Sequence, residues 1–281
     1  MNLESFLNSL GAENKEGSGV FTLAADRARK LLSEKALHDP WQSWLCLFQG
    51  FHRLEAQHLS VQVDKNQVSI LVKSEPSASK PLQEMLRDER FLLGWLNLDW
   101  FGEPAWDPEA NTFVLKWSGA VWKRYRTAAA LRSQLRSALC YSPLEFSLEG
   151  SPLPLRDTPT FDQTIFLAGN KTHLGIDKTP RTGGHQKVVS LHPEEAPLAE
   201  PSGELAAVAY RSGTSWSHAR WVHHGVIIKE ERNTLERPGL LVIAAVEGLG
   251  LNTDLAGFEL VHDEKYYQFI TRLKKEVLWM L

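Results

Sequence analysis

Hydrophobic and polar residues alternate with two different periods along this chain. Apolar positions three or four residues apart predict helices over residues 22–37, 79–98 and 127–141. Asp39 followed by Pro40 is typical of a helix start, so a further helix is expected to begin there. The last stretch of the chain, residues 263–279, has the same helical spacing.

Period-two alternation predicts strands between these helices. In the first half they cover residues 59–63, 67–73, 112–117, 120–126 and 144–148, with 112–126 forming a hairpin. In the second half they cover residues 163–168, 186–191, 204–210, 216–222, 224–230 and 239–247. We therefore expect an α/β (α+β) protein. Its predicted parts are an N-terminal helix and linker (1–19), a first domain of helices and strands (20–126) and a strand-rich α+β domain (127–281).

Composition narrows the function only slightly. The net charge of −3 over 281 residues gives no general reason to expect nucleic acid as a partner. Cys46 and Cys140 lie in apolar helical patterns and do not form a disulfide framework. The most apolar stretch, residues 239–251, is too short to span a bilayer, and no signal peptide is visible. The expected location is the cytoplasm, without membrane association.

The order of elements in residues 20–75 carries a family resemblance. A helix over 22–37, a helix containing residues 44–50 and two strands resemble the start of the GHKL ATPase superfamily (gyrase, MutL, sensor histidine kinases and the HtpG-type chaperone). The chain is more similar still to uncharacterised bacterial proteins with such an ATPase-like beginning. Residues 131–153, 224–228 and 237–240 resemble later parts of that group. The resemblance implies a GHKL-like layer of helices on a sheet, followed by a transducer-like α+β domain.

The residues that would perform ATPase chemistry are replaced. In that superfamily the second helix supplies a Glu that activates water and an Asn that holds Mg²⁺, and the next strand ends in an Asp that reads adenine. The corresponding positions are Cys46, Gln49 and Lys73, and no Gly-rich lid follows. Water activation needs a base, and Mg²⁺ needs oxygen ligands. We therefore expect no nucleotide, no cofactor and no catalytic residue.

The expected function is that of a non-catalytic interaction or regulatory protein with a protein partner. Two alternatives remain open: a divergent ATP-binding, chaperone-like ATPase, and a nucleic-acid-binding module that uses the basic helix around Arg132 and Arg136.

Tryptophan suggests where a partner would bind. Ten tryptophans are present, five of them from Trp95 to Trp122. Residues 100–108 contain two prolines and a glycine and are predicted to form a surface loop. Trp100 or Trp106 is therefore expected to be partly exposed and to anchor a protein partner.

A group of histidines raises the question of a metal site. His218, His223 and His224 are close in sequence, with Asp254 and His262 further on. Adjacent strand residues point to opposite faces, which argues against His223 and His224 binding one ion. The sequence interpretation is that no metal is bound.

Overall fold

The computed structural model describes residues 37, 39–73, 81–153, 163–169, 173–175, 185–190, 203–210, 215–232, 234–254 and 256–278. The chain divides into two compact units between Ala130 and Leu131. The helices predicted over residues 1–19 and 22–37 lie outside the described residues, except for Leu37.

The helices of the first unit are shorter than the pattern predicts. They are α1 (Gln42–Arg53), α2 (Leu82–Met85), α3 (Glu89–Leu96) and a 3₁₀ turn (Leu98–Trp100). The single helix predicted over 79–98 is wrong because Asp88 has an extended backbone and begins a new helix. Its side chain accepts hydrogen bonds from the backbone N–H groups of Arg90 and Phe91, as an N-cap residue does.

Within the first unit, four antiparallel strands pair in the order β3-β4-β2-β1. Their bounds are His58–Val63 (β1), Gln67–Lys73 (β2), Gly102–Asp107 (β3) and Thr112–Trp117 (β4). The loop predicted over 100–108 is wrong, because β3 occupies most of it. Pro104 is compatible with a strand there because β3 lies at the sheet edge, where a missing N–H is tolerated.

The predicted hairpin over 112–126 is also wrong. Residues 121–126 begin the long helix α4 (Val121–Ala138), and β4 pairs with β3 instead. The valine and aromatic residues in this stretch are typical of a strand. The residues that follow are good helix formers, however, and extending an existing helix costs less free energy than starting one.

Helix α1 packs its apolar side onto aromatic side chains from the sheet. The Trp44 ring is fully buried, and its centroid lies 6.2 Å from that of Phe113 and 6.0 Å from that of Trp117. Leu59, Val61 and Val63 alternate with more exposed residues along β1, as a strand with one buried face requires. The first unit therefore has a helix-on-sheet core.

The second unit is built on a mixed six-stranded sheet in the order β11-β10-β12-β9-β7-β8. Only the β10–β12 and β7–β8 pairs are parallel. The strands are β7 (Gln163–Gly169), β8 (His185–Ser190), β9 (Gly203–Tyr210), β10 (His218–His223), β11 (Val226–Arg232) and β12 (Leu240–Ala245). A hairpin joins β5 (Glu145–Leu148) and β6 (Ser151–Pro152). The strands predicted from the sequence are confirmed within about two residues.

Helix α5 (Glu264–Val277) covers one face of this sheet, where Trp221 meets Phe269 with ring centroids 6.1 Å apart. A second cluster of buried residues, including Tyr141 and Leu174, packs on another set of sheet side chains. Every residue of β12 is buried, as expected for a central strand covered on both faces.

The fold class is thus mixed α+β, as the sequence predicts. Among the described residues, no helix combines the length and the apolar character needed to cross a membrane.

Candidate functional site

Two of the three positions that the GHKL resemblance assigns to an ATP site are deep inside the first unit. Cys46 and Gln49 lie on α1, and both side chains are 0% exposed. Neither can contact a nucleotide from solvent in this conformation.

Helices α1 and α3 approach each other at backbone distance. A Cβ atom added at Gly94 would lie 2.6 Å from the Leu47 backbone nitrogen and 2.8 Å from the Ser43 carbonyl oxygen. A Cβ atom at Gly50 would lie 2.6 Å from the backbone of Phe91. Real Cβ contacts are longer, so only glycine fits at these two positions. The helix pair is therefore closed tightly along this side of α1.

The third position, Lys73, has a different environment. It is the last residue of β2, pairs with His58 and has an exposed side chain. The structure therefore does not bring Cys46, Gln49 and Lys73 together on one accessible surface.

Several large apolar side chains of the first unit are exposed on two segments that a backbone hydrogen bond connects. Trp100 is 71% exposed and Trp122 is 65% exposed, and Val121 and Tyr125 are more than half exposed. The Ser118 backbone N–H donates a hydrogen bond of 2.8 Å to the carbonyl of Phe101, which brings the two segments together. We call Trp100, Val121, Trp122 and Tyr125 the aromatic surface.

Trp106, the other tryptophan considered as a partner anchor, is half-buried and therefore less exposed than Trp100. It lies on the edge strand β3 and lines a small apolar cleft with Phe51, Val72 and Met85. The expectation of an exposed tryptophan is met at Trp100, and the role of either residue in binding a partner stays a prediction.

The histidines of the second unit are arranged differently from the sequence interpretation. Potential ligand atoms of His223, His224 and Glu247 all lie within 4.8 Å of one another. The rings of His223 and His224 are stacked, with centroids 4.3 Å apart. The prediction that these two side chains diverge is wrong.

The reason is the local backbone. β10 ends at His223, and His224 and Gly225 form a two-residue turn into β11, with φ values of 49° and 76°. Two positive φ values in a row are typical of a tight type I′ hairpin turn, and histidine tolerates this region better than most residues. His224 therefore does not follow the strand alternation. A His-Gly pair between two strands was the sequence signal for this turn.

Glu247 reaches the histidines because β10 and β12 are parallel. Val222 pairs with Ala245, so the C-terminal ends of both strands lie next to each other at the same end of the sheet. The His224 backbone N–H donates a 3.1 Å hydrogen bond to Oε1 of Glu247. The parallel pairing of β10 with β12 brings together residues more than twenty positions apart, and the local sequence pattern of neither strand predicts it.

A third histidine approaches the same carboxylate. His173 Nδ1 lies 3.4 Å from Oε1 of Glu247. The segment is fixed by its neighbours: Leu174 is fully buried, and the Gly175 N–H donates to the Tyr141 carbonyl. We call His173, His223, His224 and Glu247 the histidine–glutamate cluster.

The electrostatics of the cluster favour an ionised Glu247. Burial opposes the charged form, but the hydrogen bond with His173 and the charges of His224 and His223 outweigh it and lower the pKa of Glu247 to about 2. The carboxylate is therefore negative at neutral pH, with three imidazoles around it.

The other residues considered for a metal site lie in separate contacts. The His262 ring nitrogen Nε2 is 3.1 Å from Glu231, and His218 packs edge-on against Trp216. Asp254 accepts hydrogen bonds from the backbone N–H groups of Phe258 and Glu259. These residues do not join the cluster.

The basic positions of helix α4 are partly neutralised. Arg132 forms an ion pair with Glu149 at 2.5 Å. This contact reduces the positive electrostatic potential of the helix face that would bind nucleic acid in the nucleic-acid alternative.

Comparison with known proteins adds no family. A scan against protein-family models matched none, and a search of curated proteins found no similar sequence. The resemblance to GHKL proteins therefore rests on the sequence pattern.

Proposed function

We propose that this chain is a non-catalytic, cytoplasmic interaction or regulatory protein built on a degenerate GHKL-like first unit, with a transducer-like second unit. The aromatic surface is its binding site for a protein partner. The observation that carries this proposal is the exposure of Trp100 and Trp122, each about two-thirds or more accessible.

The burial of Cys46 and Gln49 supports the non-catalytic part of the proposal. An ATPase needs its base and metal ligand on a cavity wall that substrate can reach. Here both positions are packed inside the unit, beside helices that touch through Gly50 and Gly94. This packing disfavours the divergent-ATPase alternative.

The composition of the aromatic surface supports a protein as the occupant. Tryptophan, tyrosine and arginine are the residues most enriched at binding hot spots. Lys123 and Arg126 are exposed beside Trp122 and Tyr125 on α4, so the rim of the surface is basic. An acidic segment carrying apolar side chains is complementary to this combination.

The same interleaving of aromatic and basic residues is found in proteins that stack single-stranded nucleic acid. We favour protein because the chain has a net charge of −3 and Arg132, further along the helix, is already paired with Glu149. The test distinguishes nucleic acid from protein as the bound partner.

The test is affinity capture from a cell extract with and without nuclease treatment, followed by a binding titration with the captured protein. Trp122→Ala is compared with Tyr267→Ala, a control on α5 whose side chain is also exposed, at 58%. Trp122→Ala should weaken binding at least tenfold, as expected for an anchor at a hot spot. Tyr267→Ala should bind like wild type.

Equal binding by both variants would reject the aromatic surface as the site. Retention that disappears after nuclease treatment would favour the nucleic-acid alternative instead.

A further inference from the structure

The histidine–glutamate cluster contains a carboxylate oxygen with an unusual environment. Oε1 of Glu247 accepts the His224 amide at 3.1 Å and lies 3.4 Å from His173 Nδ1. Oε2 is buried and has no hydrogen-bond partner among the described residues. A buried charged oxygen without a donor is costly unless a cation compensates it.

One ring nitrogen of His223 is directed at a backbone carbonyl. Its Nδ1 lies 3.4 Å from the carbonyl oxygen of Gly257, and the residue is only 8% exposed. A ligating histidine commonly donates one N–H to a carbonyl, which fixes the tautomer and presents the other nitrogen. Nε2 of His223 is then the nitrogen that carries the lone pair, as a metal ligand requires.

The spacing of the three groups fits a small ion. Their ligand atoms lie within 4.8 Å of one another. A tetrahedral zinc ion, with bonds of about 2.0–2.1 Å to nitrogen and oxygen, holds its ligands roughly 3.3 Å apart. Side-chain rotation can shorten the distances between the ligand atoms to this value, because His224 and Glu247 have partly exposed side chains, at 15% and 14%.

We infer that His223, His224 and Glu247 bind a divalent first-row transition-metal ion, for which zinc is the probe. Two imidazoles and a carboxylate suit zinc better than calcium or magnesium, which prefer oxygen alone. His173 is a positioning residue: it holds Oε1 of Glu247 so that Oε2 faces the ion. Three protein ligands leave one coordination position for water or a small ligand.

This inference is independent of the proposed function. It concerns only the second unit, and its test uses no partner protein.

The experiment is a zinc titration of the full chain after treatment with a chelator, by calorimetry. Cobalt(II) absorption in the visible region reports the coordination geometry. The variants are His224→Ala and Glu247→Gln for the ligands, and His173→Ala for the positioning residue. His218→Ala is the control, because His218 lies at the other end of β10 and packs against Trp216. Circular dichroism verifies that each variant is folded.

Wild type and His218→Ala should each bind one zinc ion per chain and give the strong absorption of tetrahedral cobalt. Loss of a partner that only orients a ligand typically weakens binding about 10- to 100-fold, and this is expected for His173→Ala. The two ligand variants should lose at least about 100-fold and the cobalt bands.

Absence of stoichiometric zinc binding by wild type would overturn the inference, whatever the variants do. Unchanged affinity in His224→Ala would overturn it as well. If Glu247→Gln does not fold, His224→Ala decides, because its side chain is partly exposed and lies in a turn.

Discussion

Replacing Gly94 with alanine tests the close approach of helices α1 and α3. The added methyl group would lie 2.6 Å from the Leu47 nitrogen, 2.8 Å from the Ser43 oxygen and 3.0 Å from the Leu47 Cα. All three are backbone atoms, which cannot rotate away. The helices must therefore separate by roughly 1 Å to restore normal contacts of about 3.5 Å.

The magnitude follows from two opposing effects. Overpacking of this kind typically costs up to about 3 kcal/mol, and a shift of 1 Å also forfeits a large part of the dispersion energy at the interface. The Phe51 and Phe91 rings, with centroids 5.4 Å apart, would lose contact as well. Alanine is better than glycine in a helix by about 1 kcal/mol. The net expectation is destabilisation by about 2 kcal/mol.

Urea unfolding followed by tryptophan fluorescence measures this change. Seven of the ten tryptophans lie before residue 131, so the signal reports mainly on the first unit. The midpoint should fall while the slope stays constant. Ala129→Gly, on an exposed position of α4, calibrates the propensity effect and should cost about 1 kcal/mol. A neutral or stabilising Gly94→Ala would refute the close approach of α1 and α3.

Three further predictions concern the first unit. Cys46 should resist a thiol reagent in the native protein, because its side chain is 0% exposed; labelling at the rate of an open thiol, measured by mass spectrometry, would contradict its burial. In urea unfolding, Trp100→Ala should change stability by less than about 0.5 kcal/mol, whereas Trp106→Ala, which truncates a half-buried ring, should cost about 2 kcal/mol; equal costs would argue against these different exposures. Asp88→Ala should cost about 1 kcal/mol because α3 loses its N-cap and Arg53 loses its ion-pair partner, and a change below 0.3 kcal/mol, roughly the error of the method, would show that neither contact contributes.

Local patterns were sufficient for most elements of the second unit. Strands such as β9 and β12 are bounded by glycine, proline or charged turns, so their positions follow from the sequence. Errors arose where tertiary pairing decided between two local options. Residues 102–107 form an edge strand only because β4 is available to pair with them. Valine and tryptophan at the start of α4 suggested a strand that had no partner.

In the histidine–glutamate cluster too, one part could be predicted from the sequence and another part could not. The turn at His224-Gly225 could be read from the sequence, because two residues with positive φ between strands have a recognisable composition. The position of Glu247 could not, since it depends on the parallel pairing of β10 with β12. His173 is further still from both in the chain, and the burial of Leu174 and the Gly175–Tyr141 hydrogen bond hold its segment in place.

We propose that the positions which the GHKL resemblance assigns to a nucleotide site bind no nucleotide. Thermal unfolding with increasing Mg-ATP, against Mg²⁺ alone and Mg-ADP, tests it most directly. A ligand at 100 times its dissociation constant stabilises the native state by about 2.7 kcal/mol, which would raise the melting temperature by roughly 5–10 °C. Because Cys46 and Gln49 are fully buried and Lys73 lies apart on an exposed strand end, we predict no change at millimolar Mg-ATP. A saturable rise in the melting temperature would contradict this proposal.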